Sequence, residues 1–354
     1  MVIWHICSIY KPSNGIFFVL KNLSEVQKRL GNKVLIFNVD KRGVHNDEDI
    51  IIFEEAVFKN LINETPPDIV IFHGVFYKQI ITVSHLLRRR HIPYLIELHG
   101  ALSKQNMLTS TMKKKLFNTL FLNNIIKKSQ GIIYLNRQEL NNSTVSNLHT
   151  NNIIIPNGCE QHPYISNHQN GERLNLLFIG RIFRQHKGLD LLLPAVKNAV
   201  SKGVNLHFFL CGRGDKQEME WLFNEIKGFE DKIEYRGEVF GKEKEDILKS
   251  SDVFILTSRY EGFPIAILEA MSFGLICIVT PETNVADIIQ ENKCGIVTKF
   301  DVDDIENAII KISHYSNSEI VEMGKRGKRT ALNYSWDQIG ELSLKKYKEV
   351  INSI

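Results

Sequence analysis

Two carboxylates with seven residues between them, Glu261 and Glu269, flank a Gly-Phe-Pro corner in the stretch TSRYEGFPIAILEAMSFG. Pro264 suits the first position of a helix, where its fixed φ fits and its missing N–H needs no partner, and Gly274 supplies the stop. The N–H groups around Ile265 and Ala266 then point out of a helix N-terminus with the positive end of its dipole behind them. That is an anion site, and its commonest guest is a phosphate. Carboxylates beside a phosphate need another task, and the hydroxyls of a sugar or a ribose are natural partners. A capped apolar helix with two solvated glutamates is the plainer reading, so the rest of the chain has to decide.

Cations of the matching kind lie upstream. In LLFIGRIFRQHKGLDLLLPA, Arg181 follows a strand ending at Gly180, and Lys187 precedes Gly188 and a helix. Two cations at a strand end beside a helix N-terminus suit a diphosphate, whose charge they neutralise without a metal. The turns FLCGRGD (209–215) and YRGEV (235–239) also end strands, and the second offers backbone to a base edge. His73-Gly74 and His99-Gly100 lie past the carboxyl ends of apolar strands, the side on which open α/β sheets bind ligands. A lone histidine there serves equally as a hydrogen-bonded loop residue. Gly15, after the first strand, lets a phosphate approach the backbone or simply turns the chain.

The elements that must hold these residues alternate: short β-branched runs, then longer helical patterns, which predicts parallel sheets with crossover helices. Strands are expected at Val2–Ile9, Lys33–Val39, Asp68–His73, Tyr94–Leu98, Gly131–Leu135 and Asn152–Ile155. A second series is expected at Leu174–Ile179, Leu206–Cys211, Lys232–Arg236, Val253–Thr257, Leu275–Thr280 and Gly295–Thr298. A helix is expected from Ile16 to Leu30, ended by Gly31. The 354 residues suit two domains, 1–157 and 158–335, with the polar stretch from Pro156 to Arg173 as linker.

Five scattered cysteines without a C-x-x-C spacing indicate neither a disulfide framework nor a zinc site, and suit a reducing cytoplasm. VIWHICSIY is too short for a signal segment, and no apolar run reaches the ~18 residues of a membrane span, so a cytoplasmic protein is expected. The net charge of +4 conceals an asymmetry: residues 1–160 hold 19 Lys and Arg against 12 Asp and Glu, the remainder 25 against 28. Between Ile69 and Gln138, Glu97 is the only acid. From Lys104 to Lys128, apolar residues recur at Leu108, Met112, Leu116 and Leu120 and at Phe117, Phe121 and Ile125, with the lysines outside that stripe. Such a helix packs on a sheet with its lysines in water, or lays a basic face on anionic lipid. No nucleic-acid recognition module accompanies the charge.

Taken in order, Gly15, His99-Gly100, Pro156-Asn157-Gly158, Gly180-Arg181, Lys187-Gly188, Gly212, Gly214, Gly237-Glu238-Val239 and Ser258–Ala270, with its two glutamates, resemble the retaining glycosyltransferases of family 4. The resemblance spans nearly the whole chain. It implies the GT-B fold: two Rossmann-like α/β domains facing across a cleft, with a last helix within 336–354, opened by Ser335-Trp-Asp-Gln338, crossing back to the N-terminal domain. It also implies a nucleotide-diphosphate sugar as donor, from which a hexosyl or N-acetylhexosaminyl group passes to an acceptor hydroxyl with no metal and no other cofactor. By that resemblance Arg181 and Lys187 hold the diphosphate, and Glu261, with the backbone of Gly262, Phe263, Pro264 and Ile265, holds the sugar. Glu269 takes the ribose, while Arg213, Glu238 and Val239 fall at the base. His99 comes near the donor sugar and Gly15 near the pyrophosphate.

The N-terminal domain carries the acceptor in this fold. Its basic character points to a lipid-linked saccharide and to the inner face of the cytoplasmic membrane, as in assembly of a bacterial lipopolysaccharide O-antigen or capsule. Two places depart from the family pattern: Asn14-Gly15 stands where Gly-Gly is common, and Pro281–Asp287 where a Gly-Gly turn followed by Glu is common. The alternatives are a nucleotide-sugar epimerase or phosphorylase of the same fold, or an inactive binding relative.

Overall fold

Apolar runs too continuous to alternate between inside and outside make strands covered on both faces, which is the habit of parallel sheets. The computed structural model, which describes residues 1–10, 15–43, 50–104, 121–163 and 173–354, contains two such sheets. They lie in separate compact units, Met1–Gly158 with Trp336–Ile354, and Cys159–Ser335.

In the first unit the strands are β1 (Val2–Cys7), β2 (Lys33–Asn38), β3 (Ile50–Ile52), β4 (Ile69–His73), β5 (Tyr94–Glu97), β6 (Gly131–Tyr134) and β7 (Asn152–Ile154), in the order β3-β2-β1-β4-β5-β6-β7. The pairs are parallel, with Val2 beside Lys33 and Ile3 beside Ile69. Trp4, Phe37 and Phe58 pack with ring centroids 4.9–5.1 Å apart beneath this sheet. The second unit holds β8 (Leu174–Ile179), β9 (Leu206–Cys211), β10 (Ile233–Gly237), β11 (Val253–Leu256), β12 (Ile276–Val279) and β13 (Gly295–Val297), in the order β10-β9-β8-β11-β12-β13. In each sheet the order reverses once, between β1 and β4 and between β8 and β11. The crevice outside the carboxyl ends at such a reversal is where open α/β sheets bind ligands.

Twelve of the strands follow the expected runs to within a few residues, whereas β3 was not anticipated. It is three residues long and pairs Ile36 with Ile50 at the sheet edge, too short to show a period. The first helix runs Gly15–Arg29, one residue ahead of the expected Ile16–Leu30, and Gly31 follows with φ +80°. Asn14, residues 105–120 of the basic apolar stripe and residues 164–172 of the expected linker lie outside the described residues. Among those described, no helix is long and apolar enough to cross a membrane.

The last helix, Trp336–Ile351, belongs to the first unit and lies against Gly15–Arg29. Gln27 Nε2 donates to Ser343 Oγ at 3.0 Å, and Arg29 pairs with Asp337 at the exposed rim. The close approach depends on Gly340, where a Cβ would stand 2.3 Å from Val26 Cγ1. A mid-helix glycine costs about 1 kcal/mol against alanine, yet overpacking a stiff valine costs about 1–3 kcal/mol. Gly340→Ala is therefore expected to lower the unfolding free energy of this unit despite its better helix propensity. The Gly340→Ala/Val26→Ala pair should recover part of that loss, and denaturant titration of the three variants checks this.

Candidate active site

In the second unit, the loops after β8 and β11 meet at the reversal in strand order. After β8 the chain passes Gly180 and Arg181, makes one turn of helix over Arg184–Lys187, and restarts as the helix Leu189–Ser201 through Gly188. Gly188 has φ +65°, and a Cβ there would fall 2.0 Å from the carbonyl oxygen of Thr257, just past β11. Only glycine lets the two loops touch backbone to backbone. Thr257 Oγ1 adds bonds of 3.2 Å to the carbonyls of Lys187 and Gly188.

That contact brings Lys187 and Glu261 together. Lys187 Nζ donates to Glu261 Oε1 at 2.5 Å, and Ser258 Oγ donates to the same oxygen at 2.5 Å. Both charged side chains are largely buried. Glu261 Oε2 has no partner among the described residues. Two further links hold the loops in register. Arg259 grips Asp190 with two bonds of 2.7 Å and reaches the carbonyl of Gln185 at 2.6 Å, its guanidinium lying over the Phe300 ring. His186 Nε2–H donates to the carbonyl of Tyr260 at 2.8 Å and stacks on that ring. Burial, aided by the charge of Lys187, lowers the pKa of His186 and outweighs the bond to Tyr260, which favours the charged ring. Arg181 is exposed and, among the described residues, has no bonded partner.

The helix beyond the corner is Ile265–Ser272. Pro264 is its cap, with φ −74° and ψ 112°, one position earlier than expected, and Ile265 takes the first helical place. The N–H groups of Ile265 and Ala266 have no partner among the described residues, as at any helix start. At the far end Gly274, with φ +78°, closes a reverse turn: its N–H reaches the carbonyl of Met271, and that of Leu275 reaches Ala270. Glu269 is held by Lys244, whose Nζ lies 2.6 Å from both carboxylate oxygens. Gly262 and Phe263 form the corner itself, with Phe263 buried.

The turns after β8, β9 and β10 are laced by backbone. Gly180 N–H reaches Cys211 O at 3.0 Å, Gly212 N–H reaches Gly237 O at 2.6 Å, and Ile182 N–H reaches Arg213 O at 2.9 Å. A Cβ on Gly212, at φ +144°, would fall 1.8 Å from the carbonyl oxygen of Gly180. Arg213 and Glu238 approach to 3.9 Å at the exposed rim, while Val239 is buried beneath.

Gly15 and His99 belong to the other unit. Gly15 opens the first helix, exposed, with space around it. His99 is partly buried with φ +49°, and its Nε2 lies 3.1 Å from His73 Nδ1 and 3.6 Å from Glu97 Oε1. Burial pushes the histidines down, His99 to about 4 and His73 to about 3, and raises Glu97. Gly100 N–H and Leu135 N–H both donate to the buried carboxylate of Glu139, at 2.5 and 2.6 Å, which fixes the turn after His99.

Residues 173–314 match the family model for glycosyl transferases group 1. An uncharacterized glycosyltransferase of Methanocaldococcus jannaschii is 24% identical over 98% of this chain and 93% of its own length. The GPI3 subunit of phosphatidylinositol N-acetylglucosaminyltransferase from Saccharomyces cerevisiae is 22% identical over 98% and 82%. Among solved structures, sucrose-phosphate synthase from Thermosynechococcus elongatus superposes with TM-score 0.77 at 15% identity over 100% of both chains. The chain is a GT-B glycosyltransferase with a group 1 domain. HepE of Anabaena in complex with UDP matches the fold equally, with TM-score 0.77 at 14% identity over 99% of this chain and 100% of that one.

Several groups that brace the candidate site escaped the sequence reading. Lys244 and Asp190 lie far from their partners along the chain, and Ser258 and Arg259, although inside the matching stretch Ser258–Ala270, were given no role of their own. Glu97 could have been found, since it stands two residues before His99 and so on the same face of the strand. The departure at 281–287 is explained by Asn284. It takes φ +60°, a conformation Asn tolerates better than most residues, and its Nδ2 donates to the carbonyls of Glu261 at 2.6 Å and Gly262 at 3.2 Å. Asn284→Gly keeps the backbone and loses both bonds, an expected cost of about 1–2 kcal/mol. Asn284→Ala adds roughly 1 kcal/mol for the left-handed backbone. Thermal unfolding of the two variants should rank them in that order.

Proposed function

We propose that this glycosyltransferase moves a hexosyl or N-acetylhexosaminyl group from a nucleotide-diphosphate sugar to an acceptor hydroxyl with retention of anomeric configuration. The observation that carries the reading is the convergence of Lys187 and Glu261 at the strand-order reversal of the second unit, beside the N-terminus of the helix that bears Glu269. Arg181 and Lys187 bind the diphosphate and neutralise the charge that builds on it as the glycosidic bond breaks, so no metal is needed. Glu261, through Oε2, and the backbone of Gly262, Phe263, Pro264 and Ile265 hold the sugar hydroxyls. Glu269 holds the ribose, and the turns carrying Arg213, Glu238 and Val239 hold the base.

In the reaction the acceptor oxygen bonds to the anomeric carbon on the face the leaving phosphate departs from, and a phosphate oxygen takes the acceptor's proton. No protein carboxylate acts as nucleophile, so positioning and electrostatics supply the rate. HepE was solved with UDP, which supports a nucleotide-linked donor. The basic balance of residues 1–160 and the phosphatidylinositol named in one relative support a lipid-linked saccharide acceptor at the inner face of the cytoplasmic membrane, as in bacterial surface polysaccharide assembly.

The test is binding and turnover of UDP-, GDP-, ADP- and dTDP-sugars by the purified chain. One donor is expected to bind and to be hydrolysed slowly without acceptor. Lys187→Ala should lower turnover by about 10²–10³-fold, the scale for losing one charge-stabilising donor. Glu261→Gln, which keeps the shape and removes the charge, should lower it by roughly 10-fold or more. Failure of every donor to bind would overturn the reading, and conversion of the donor to its epimer without acceptor would replace transfer by epimerisation.

A further inference from the structure

We infer that His73, Glu97 and His99 form a binding site for a divalent cation of the zinc type in the first unit. Their donor atoms face one another beyond the carboxyl ends of β4 and β5. His73 Nδ1 lies 3.1 Å from Glu97 Oε2 and 3.1 Å from His99 Nε2, and His99 Nε2 lies 3.6 Å from Glu97 Oε1. Ligands bound at about 2.0–2.1 Å around tetrahedral zinc stand roughly 3.3 Å apart. The triangle thus has the dimensions of one face of a zinc site, with the fourth position left for water or a ligand. Two imidazoles and one carboxylate are also a donor set that zinc takes readily.

The hydrogen bonds behind the triangle decide which atoms present lone pairs. Ser343 Oγ–H donates to the carbonyl of Gly340 at 2.7 Å, so its oxygen accepts from Gln27 Nε2 at 3.0 Å. Gln27 Oε1 then accepts from His5 Nε2–H at 3.0 Å, which leaves His5 Nδ1 to accept from His73 Nε2–H at 2.8 Å. Followed to its end, this one-way chain aims the bare lone pair of His73 Nδ1 at a carboxylate that it cannot bond. A cation at the centre of the triangle removes that conflict by replacing the single proton that otherwise has to be shared there, and the proton leaves to solvent. Donation of the remote ring N–H to a fixed acceptor is also the usual support of a metal-bound histidine. The left-handed backbone of His99 fits the same purpose, since a non-glycine residue is held in that strained region only when its surroundings demand it.

Binding is tested apart from transfer, on full-length protein stripped with chelator. Titration with Co²⁺ should give the intense visible absorption of a four-coordinate ion, and Zn²⁺ should abolish it. In equilibrium dialysis a single Zn²⁺ should bind, and His99→Ala or Glu97→Gln should weaken it by at least the roughly 10–100-fold seen on losing a supporting group. The melting temperature of each variant in chelator serves as the control for folding. Absence of the Co²⁺ absorption in the folded wild-type protein would overturn the proposal without recourse to any variant, as would Zn²⁺ affinity unchanged in folded His99→Ala. Either result would mean that a shared proton, and not a cation, joins the triangle as part of a hydrogen-bonded wire. The donor-binding experiment is read without zinc, so failure of one proposal leaves the other standing.

Discussion

A parallel sheet covered on both faces leaves polar chemistry one place to go, the carboxyl ends of its strands. The interiors of β4, β5, β6, β9, β11 and β12 are buried throughout, so a charged side chain there would lack water and a partner. His73, Glu97 and His99 in one unit, and Gly180, Thr257 and Glu261 in the other, accordingly lie at or just beyond strand ends. His5, fully buried inside β1, and His207, buried in β9, are exceptions: His73 and Gln27 satisfy both ring nitrogens of His5, and His207 Nε2 meets Glu234 Oε2 at 2.9 Å. The constraint explains why an α/β chain of this kind assembles its site from loops distant in sequence. Strand order decides which loops become neighbours.

Three half-buried acids at the candidate donor site already hold a cation: Glu261 holds Lys187, Glu269 holds Lys244, and Asp190 holds Arg259. Half-buried pairs of this kind contribute little net stability, because desolvation of both ions offsets most of their attraction. On the proposed function, a diphosphate arriving at Lys187 would exchange one anion for another at small cost and would release the Glu261 carboxylate for hydroxyl groups. Arg259 differs from the two lysines. Two bonds to Asp190, one to a carbonyl and a ring beneath it hold the guanidinium between the two loops and keep them in register.

The fold was legible in the sequence because its signals are local. Each buried strand is a run of β-branched residues between turn residues, and only β3, three residues long at an edge, fell below that threshold. The site was legible where chemistry concentrates in one segment, as in Lys187-Gly188 and the Glu261-to-Glu269 run. It was not legible where partners meet only in space. Nothing near Lys244 in sequence marks it as the partner of Glu269, and His5, His73 and Glu97 lie on three strands whose adjacency is a property of strand order. The misplacement of Pro264 by one position has a similar cause, because proline suits both the cap and the first turn, and the corner that chooses between them is fixed by Asn284 and Glu282 from another loop.

Asn284 bears also on how a departure from a family pattern should be weighed. A Gly-Gly turn supplies a left-handed backbone and room, and asparagine at φ +60° supplies the first at modest cost. Its amide fills the room with two bonds to the carbonyls of Glu261 and Gly262, and the N–H of Glu261 reaches the carbonyl of Glu282 in return. The corner that carries Glu261 is thus tied down by side chain where glycine would leave it to backbone alone. Such a loop gives up freedom to rearrange in return for a fixed carboxylate. The difference from the pattern is therefore a change in rigidity at the corner that carries Glu261, with the charged groups left in place.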